Sequence, residues 1–144
     1  MGINVALDGP SGAGKSTIAK AVAKKLEYVY VDTGAMYRSI AYYVISKGAD
    51  LSDPEQIKPF LGEISIKLCY TEAGQRVILN DEDVSDKIRT PEISMGASKV
   101  SAIPEVREFL LELQKNIAKE NNIIMDGRDI GTVVLPNADV KIFL

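Results

Sequence analysis

The sequence predicts an α/β fold: three α/β/α layers around a parallel sheet, with a small antiparallel insertion. Three observations predict it. Short apolar runs that close on an aspartate alternate with amphipathic stretches at helical spacing. A glycine-rich segment, G-P-S-G-A-G-K-S from Gly9 to Ser16, joins the first run to the first amphipathic stretch. One region then breaks the alternation with a polar–apolar period of two.

Ile3 to Leu7 reads as a strand buried on both faces, ending at Asp8. A helix follows from Gly14, with Ile18, Ala21, Val22, Ala23 and Leu26 inside and Lys20, Lys24 and Lys25 outside. Tyr28 to Val31 is a second strand, ending at Asp32. Asp32 or Thr33 caps a helix running through Ile45 toward Gly48, with Tyr37, Ile40, Ala41 and Val44 on its inner stripe.

From Glu63 to Tyr70 the apolar residues Ile64, Ile66 and Leu68 alternate with polar ones. T-E-A-G-Q supplies a turn, and Arg76 to Leu79 the return strand, extended by Glu82 to Val84. The hairpin interrupts the β-α-β series, so residues of about 51–90 read as an inserted subdomain. Pro104 reads as a first helical residue, with Glu105 and Glu108 near the positive end of the dipole and Val106, Leu110, Leu113 and Ile117 as the buried stripe. Asn122 to Met125 is a third core strand before Asp126-Gly127, and Val140 to Leu144 a fourth. A doubly wound sheet ordinarily continues past such a strand. The expectation is therefore one core over residues 1–144, incomplete at its C-terminal side.

With 46% apolar residues in 144, the chain can bury a core. A net charge of −3 gives no broad basic surface for nucleic acid or anionic lipid. The single cysteine, Cys69, excludes an internal disulfide and a cysteine-based zinc cluster. There is no histidine, which removes Ser-His-Asp and Cys-His catalysis together with histidine general bases. With no signal peptide and no membrane span in the sequence, a cytoplasmic location away from membranes is expected.

The spacing G-x-x-x-x-G-K-[ST], between a strand and a helix, is that of a phosphate-binding loop. Gly9, Pro10, Ser11, Gly12, Ala13 and Gly14 would wrap the polyphosphate of a nucleoside triphosphate, backed by the helix N-terminus. Lys15 is expected to reach the β- and γ-phosphates, Ser16 to offer its hydroxyl to Mg²⁺, and Thr17 to contact the α-phosphate. Asp126, at the end of the third strand, could hold the magnesium through water; a turn-capping aspartate is the alternative. Asp8 reads as structural, ordering the loop. Arg128 suits a phosphate fork, and Asp129 could accept from an exocyclic amine; a local ion-pair cluster is the alternative for D-G-R-D. Arg38 and Arg107 lie just off the apolar stripes of their helices, where a solvated arginine is the alternative. Guanine-specific switches would need N-K-x-D and D-x-x-G, and neither occurs.

Five segments together resemble the bacterial cytidylate kinase family of nucleoside monophosphate kinases. They are D-G-P-S-G-A-G-K-S from Asp8, D-T-G-A-M-Y-R from Asp32, I-R-T-P-E from Ile88, V-R-E from Val106 and D-G-R-D-I-G-T-V-V from Asp126. The resemblance implies phosphoryl transfer from ATP to CMP or dCMP with Mg²⁺, and an antiparallel insertion in the monophosphate-binding region. It implies that Arg38 and Arg128 hold the acceptor phosphate while Thr33, Ser98, Arg107 and Asp129 surround the pyrimidine. Lys15, Arg38 and Arg128 are then the expected catalytic residues. A monomer is expected for the complete protein. The family's arginine-bearing lid follows the last strand read here, so weak binding and slow transfer are expected of the 144 residues alone. The remaining alternatives are another small-molecule or nucleoside monophosphate kinase with the same loop, or a nucleotide-binding fragment without activity.

Overall fold

The structure is a computed structural model describing residues 2–10, 14–72, 74–127 and 130–144. It forms two compact units, Met1–Val31, Tyr70–Gln75 and Gln114–Leu144 in one, Asp32–Cys69 and Arg76–Leu113 in the other.

The first unit holds a four-stranded sheet of β1 (Asn4–Asp8), β2 (Val29–Tyr30), β6 (Ile123–Gly127) and β7 (Val140–Phe143) in the order β2-β6-β1-β7. All three pairings are parallel. Register sets the layers: Val5 lies opposite Ile124 and Leu7 opposite Asp126, so the pleat turns these four side chains to one face. On that face α1 (Lys15–Leu26) packs Ala19 and Ala23 against Val5, Leu7 and Ile124, with Val22, Tyr28 and Tyr30 at the margin.

The inner stripe of α1 is narrower than its sequence suggests. Ile18 is 43% exposed and Leu26 50%, and Ala21 is exposed as well. Ile18 is turned about 100° from the Ala19–Ala23 line, and Leu26 is the last helical residue before Glu27 turns left-handed at φ 58°. Two alanines facing the sheet leave room for close approach, and the larger side chains fall outside it.

The second unit is built on α2 (Thr33–Ser46), α3 (Pro54–Leu61) and α4 (Pro91–Val100), and holds the start of α5 (Pro104–Glu120). Asp32 caps α2, its Oδ1 accepting from the Ala35 N–H at 3.1 Å. Met36, Ile40, Ala41 and Val44 are fully buried along the inner face of α2, and Tyr37 is half-buried. α2 and α4 pack closely at Gly96, where a Cβ would come within 3.2 Å of the Ala41 Cβ and 3.0 Å of the Leu51 Cδ1. α3 and α4 were not anticipated from the sequence.

β3 (Ile66–Thr71), β4 (Gly74–Leu79) and β5 (Glu82–Asp83) form the small antiparallel sheet in that order. Asn80 and Asp81 turn between β4 and β5 at φ 47° and 70°, the two-residue, positive-φ connection a hairpin favours. Beside it Asp83 Oδ2 accepts from Arg76 Nε at 2.9 Å, and Asp83 Oδ1 accepts from the Ser85 hydroxyl at 2.7 Å and its N–H at 3.0 Å.

The Arg76 hydrogen bond, then those of Ser85, lower the Asp83 carboxyl to about 2. A folded value below the unfolded one stabilises the fold above the unfolded value, and that contribution is lost as pH falls through the folded value. A carboxyl-carbon NMR titration of Asp83 should therefore show a midpoint near 2. Asp83→Asn should flatten the acid-unfolding curve between about pH 4 and pH 2. An Asp83 midpoint at an ordinary aspartate value would contradict the network.

Candidate functional site

α1 opens differently from the helices of the second unit. There, α2, α3 and α4 each begin with a side-chain acceptor, Asp32, Asp53 and Thr90. α1 begins at Gly14, with φ 82° and ψ 16° and no side-chain cap. A residue with a Cβ would be strained there by about 1–2 kcal/mol. Among the described residues no side chain accepts from the N–H groups of the first turn, and the positive end of the helix dipole favours an anion.

The Lys15 ammonium donates to the carbonyls of Gly9 at 2.7 Å and Pro10 at 3.2 Å. It therefore sits against the segment leaving β1, at the carboxyl edge of the sheet where ligands of open α/β sheets bind. Ser16 and Thr17 follow in the first turn of α1, both exposed. Ser11, Gly12 and Ala13 lie outside the described residues.

Asp126 is opposite Leu7 and Gly127 opposite Asp8, which brings the Asp126 carboxylate to the strand end that launches the Gly9 loop. Its Oδ1 accepts from the Tyr30 hydroxyl at 2.5 Å. Asp8 itself accepts from the N–H groups of Ile130 at 2.7 Å and Gly131 at 2.9 Å. One carboxylate thus ties the end of β1 to the π-helical turn Ile130–Val134. Arg128 and Asp129, which precede that turn in sequence, lie outside the described residues.

The donors that would face a cation are hard oxygens, the Ser16 hydroxyl and the Asp126 carboxylate. Among the described residues no three His, Cys, Asp or Glu side chains cluster as a metal cage. Few protein oxygens, completed by water and phosphate, is how Mg²⁺ is usually held. The residues present fit it.

In the second unit, Thr33 opens α2, and Arg38 follows one turn on. The Arg38 Nη1 lies beside Gly34, 3.9 Å from where a Cβ would stand, so the guanidinium reaches back to the first turn of its helix, as helical side chains do. Arg107, exposed early in α5, lowers a Tyr37 phenol that burial pushes up, which places the Arg107 charge near that ring. Ser98 is exposed on α4. Among the described residues Arg38 and Arg107 join no ion pair, whereas Arg76 is held by Asp83 and Asp86. An arginine with its fork uncommitted can receive a phosphate or a base carbonyl.

Elsewhere, a cavity of about 250 Å³ lies at the amino end of β1, lined by Asn4, Lys115, Ala118, Leu135 and Asn137 among others. It contains none of the residues expected to bind nucleotide. No helix among the described residues is long and apolar enough to cross a membrane.

The family model described as cytidylate kinase matches residues 5–144. The chain belongs to the cytidylate kinase family. It is 50% identical over 142 residues to a cytidylate kinase of Carboxydothermus hydrogenoformans, covering 99% of this chain and 64% of that protein. It is 52% identical over 142 residues to the cytidylate kinase of Caldicellulosiruptor saccharolyticus, with 99% and 63% covered. It is 51% identical over 142 residues to that of Ligilactobacillus salivarius, again with 99% and 63% covered. The chain thus spans a little under two thirds of the length of these cytidylate kinases.

Sequence reasoning missed two members of the site's surroundings, Tyr30 and Gln75. Tyr30 stands in sequence only as part of the strand over Tyr28 to Val31, and the β2–β6 register places its hydroxyl on Asp126. The Gln75 side chain accepts from the Tyr30 N–H at 2.8 Å and donates to the Tyr30 carbonyl; a glutamine in a turn carries no signal for that.

Proposed function

We propose that the protein transfers a phosphoryl group from ATP to CMP or dCMP, giving ADP and CDP or dCDP, as a cytoplasmic enzyme that is monomeric when complete. The observation that carries this reading is the cytidylate kinase match over residues 5–144, a range containing every residue assigned a role here. The geometry supports it: an uncapped helix N-terminus, a lysine amine beside it and a strand-end carboxylate gather at one sheet edge.

In this reading Gly9–Thr17 bind ATP, and Lys15 neutralises charge on the transferring group. Ser16 and, through water, Asp126 would hold Mg²⁺. The chemistry that ion would supply is neutralisation of charge on the phosphate oxygens. Arg38 and Arg128 hold the acceptor phosphate. A monophosphate oxygen is already anionic, so no general base is required, in keeping with a chain without histidine. Cytosine offers its N4 amine to Asp129, and its N3 and O2 accept from Arg107 and Ser98.

Calorimetric titration with ATP and with CMP, paired with measurement of ADP release, tests the reading. Both nucleotides should bind, and CMP should accelerate ADP release more than AMP or UMP does. Faster release with AMP or UMP would overturn the assignment of CMP. Binding of both nucleotides without ADP release would make the chain a nucleotide-binding module and not a transferase.

A further inference from the structure

The 2.5 Å contact between the Tyr30 hydroxyl and Asp126 Oδ1 follows from sheet register. Tyr30 lies opposite Ile124 on the parallel β2–β6 pair, and the pleat turns Ile124 and Asp126 to the same face. A side chain as long as tyrosine at position 30 therefore reaches the carboxylate two residues further along β6. The tyrosine is itself held. Gln75 engages both the N–H and the carbonyl of its backbone. The Lys20 Nζ, five residues along α1 from Lys15, lies 5.6 Å from the ring centroid. The ring packs at the margin of the cluster of Val5, Leu7, Ala19, Ala23 and Ile124.

A carboxylate at a strand end turns about a broad torsion, and a carboxylate that meets a metal through water depends on its orientation. A phenol that donates to one oxygen fixes the plane and leaves the second oxygen to accept from elsewhere. We propose that Tyr30 is a positioning residue for Asp126, holding its carboxylate where it meets the magnesium of a bound nucleoside triphosphate. The inference rests on the magnesium–ATP reading above. It gives a function to a strand tyrosine that core packing alone would leave unexplained, because a phenylalanine would fill the same space.

The test is calorimetric titration of the 144-residue chain with ATP, once with Mg²⁺ and once with EDTA. The wild type, Tyr30→Phe, Asp126→Asn and the double variant are compared, with thermal unfolding as a check on folding. Magnesium should tighten ATP binding by the wild type. Tyr30→Phe should reduce that magnesium-dependent gain by about tenfold, the low end of what outer-shell partners of metal ligands deliver, while affinity in EDTA stays unchanged. Asp126→Asn should remove most of the gain, and Tyr30→Phe should add nothing to it. Gln75→Ala, which loosens the backbone clamp and leaves the phenol, should act in the same direction more weakly. A Tyr30→Phe loss that is equal with and without Mg²⁺, or additive with Asp126→Asn, overturns the inference and leaves Tyr30 a packing residue. A magnesium-dependent gain that Tyr30→Phe leaves intact overturns the inference alone. A wild-type chain that binds no ATP, or binds it no better with Mg²⁺, overturns both the inference and the reading beneath it.

Discussion

Lys15→Ala should lower phosphoryl transfer by about 10²- to 10³-fold, the usual cost of removing one preorganised donor from a site of developing charge. In the proposed reading the amine meets that charge; it lies 2.7 Å from the Gly9 carbonyl and beside a helix start that has no side-chain cap. Among the described residues its hydrogen bonds go to the carbonyls of Gly9 and Pro10, together worth about 1–3 kcal/mol at most. Stability should therefore fall by no more than that, an unfolding midpoint lowered by about 10 °C at most with the transition still cooperative. Transfer rates from ADP release and a melting curve on the same sample check both halves. Undiminished transfer would remove Lys15 from the mechanism. Lost transfer accompanied by a collapsed melting curve would show that the lysine supports the fold instead.

The second large effect is on the base. CMP should exceed UMP in kcat/KM by about a hundredfold or more, because uracil presents a carbonyl where cytosine has its amine and an N–H where cytosine has an acceptor. Each mismatch leaves a polar group of the protein unpaired on burial. Arg107→Ala should reduce the ratio by about tenfold, chiefly by losing CMP, while the mismatch of uracil at Asp129 remains. Arg107 is exposed early in α5, its charge lowers a Tyr37 phenol that burial pushes up, and it joins no ion pair among the described residues. Steady-state kinetics with both acceptors measure the ratio directly. Equal kcat/KM for CMP and UMP in the wild type would contradict the base-recognition scheme.

Much of the architecture was legible in the sequence, because its strands are short apolar runs closed by aspartate and its loop has fixed spacing. β1, β6 and β7 lie where the apolar runs place them, and Asp32 caps α2 as its side-chain chemistry requires. α3 and α4 carry a start signal in the sequence. Each opens with a capping residue followed by proline and glutamate, Asp53-Pro54-Glu55 and Thr90-Pro91-Glu92, which marks a helix start. Their interiors hide it: Pro59 lies within α3, and Gly96 with serines at 94 and 98 lies within α4, all poor helix formers. Tertiary packing overrides that weakness, since Gly96 is what lets α4 approach Ala41 of α2.

The site was legible where spacing encodes it and illegible where register does. The Gly9–Thr17 segment announces itself along the chain. The Tyr30–Asp126 contact joins residues 96 positions apart and exists only because β2 pairs with β6 and not with β1. Asp8 shows the same dependence, since its partners at Ile130 and Gly131 are adjacent only in the folded sheet.

Amide chemical shifts of the 144-residue chain, followed by NMR as magnesium–ATP and then CMP are added, test the assignment most directly. ATP should move Gly9, Gly14, Lys15, Ser16, Thr17 and Asp126, and CMP should move Thr33, Arg38, Ser98 and Arg107. Shifts that leave both groups unmoved and gather instead around Asn4, Lys115 and Leu135, at the opposite end of β1, would contradict it.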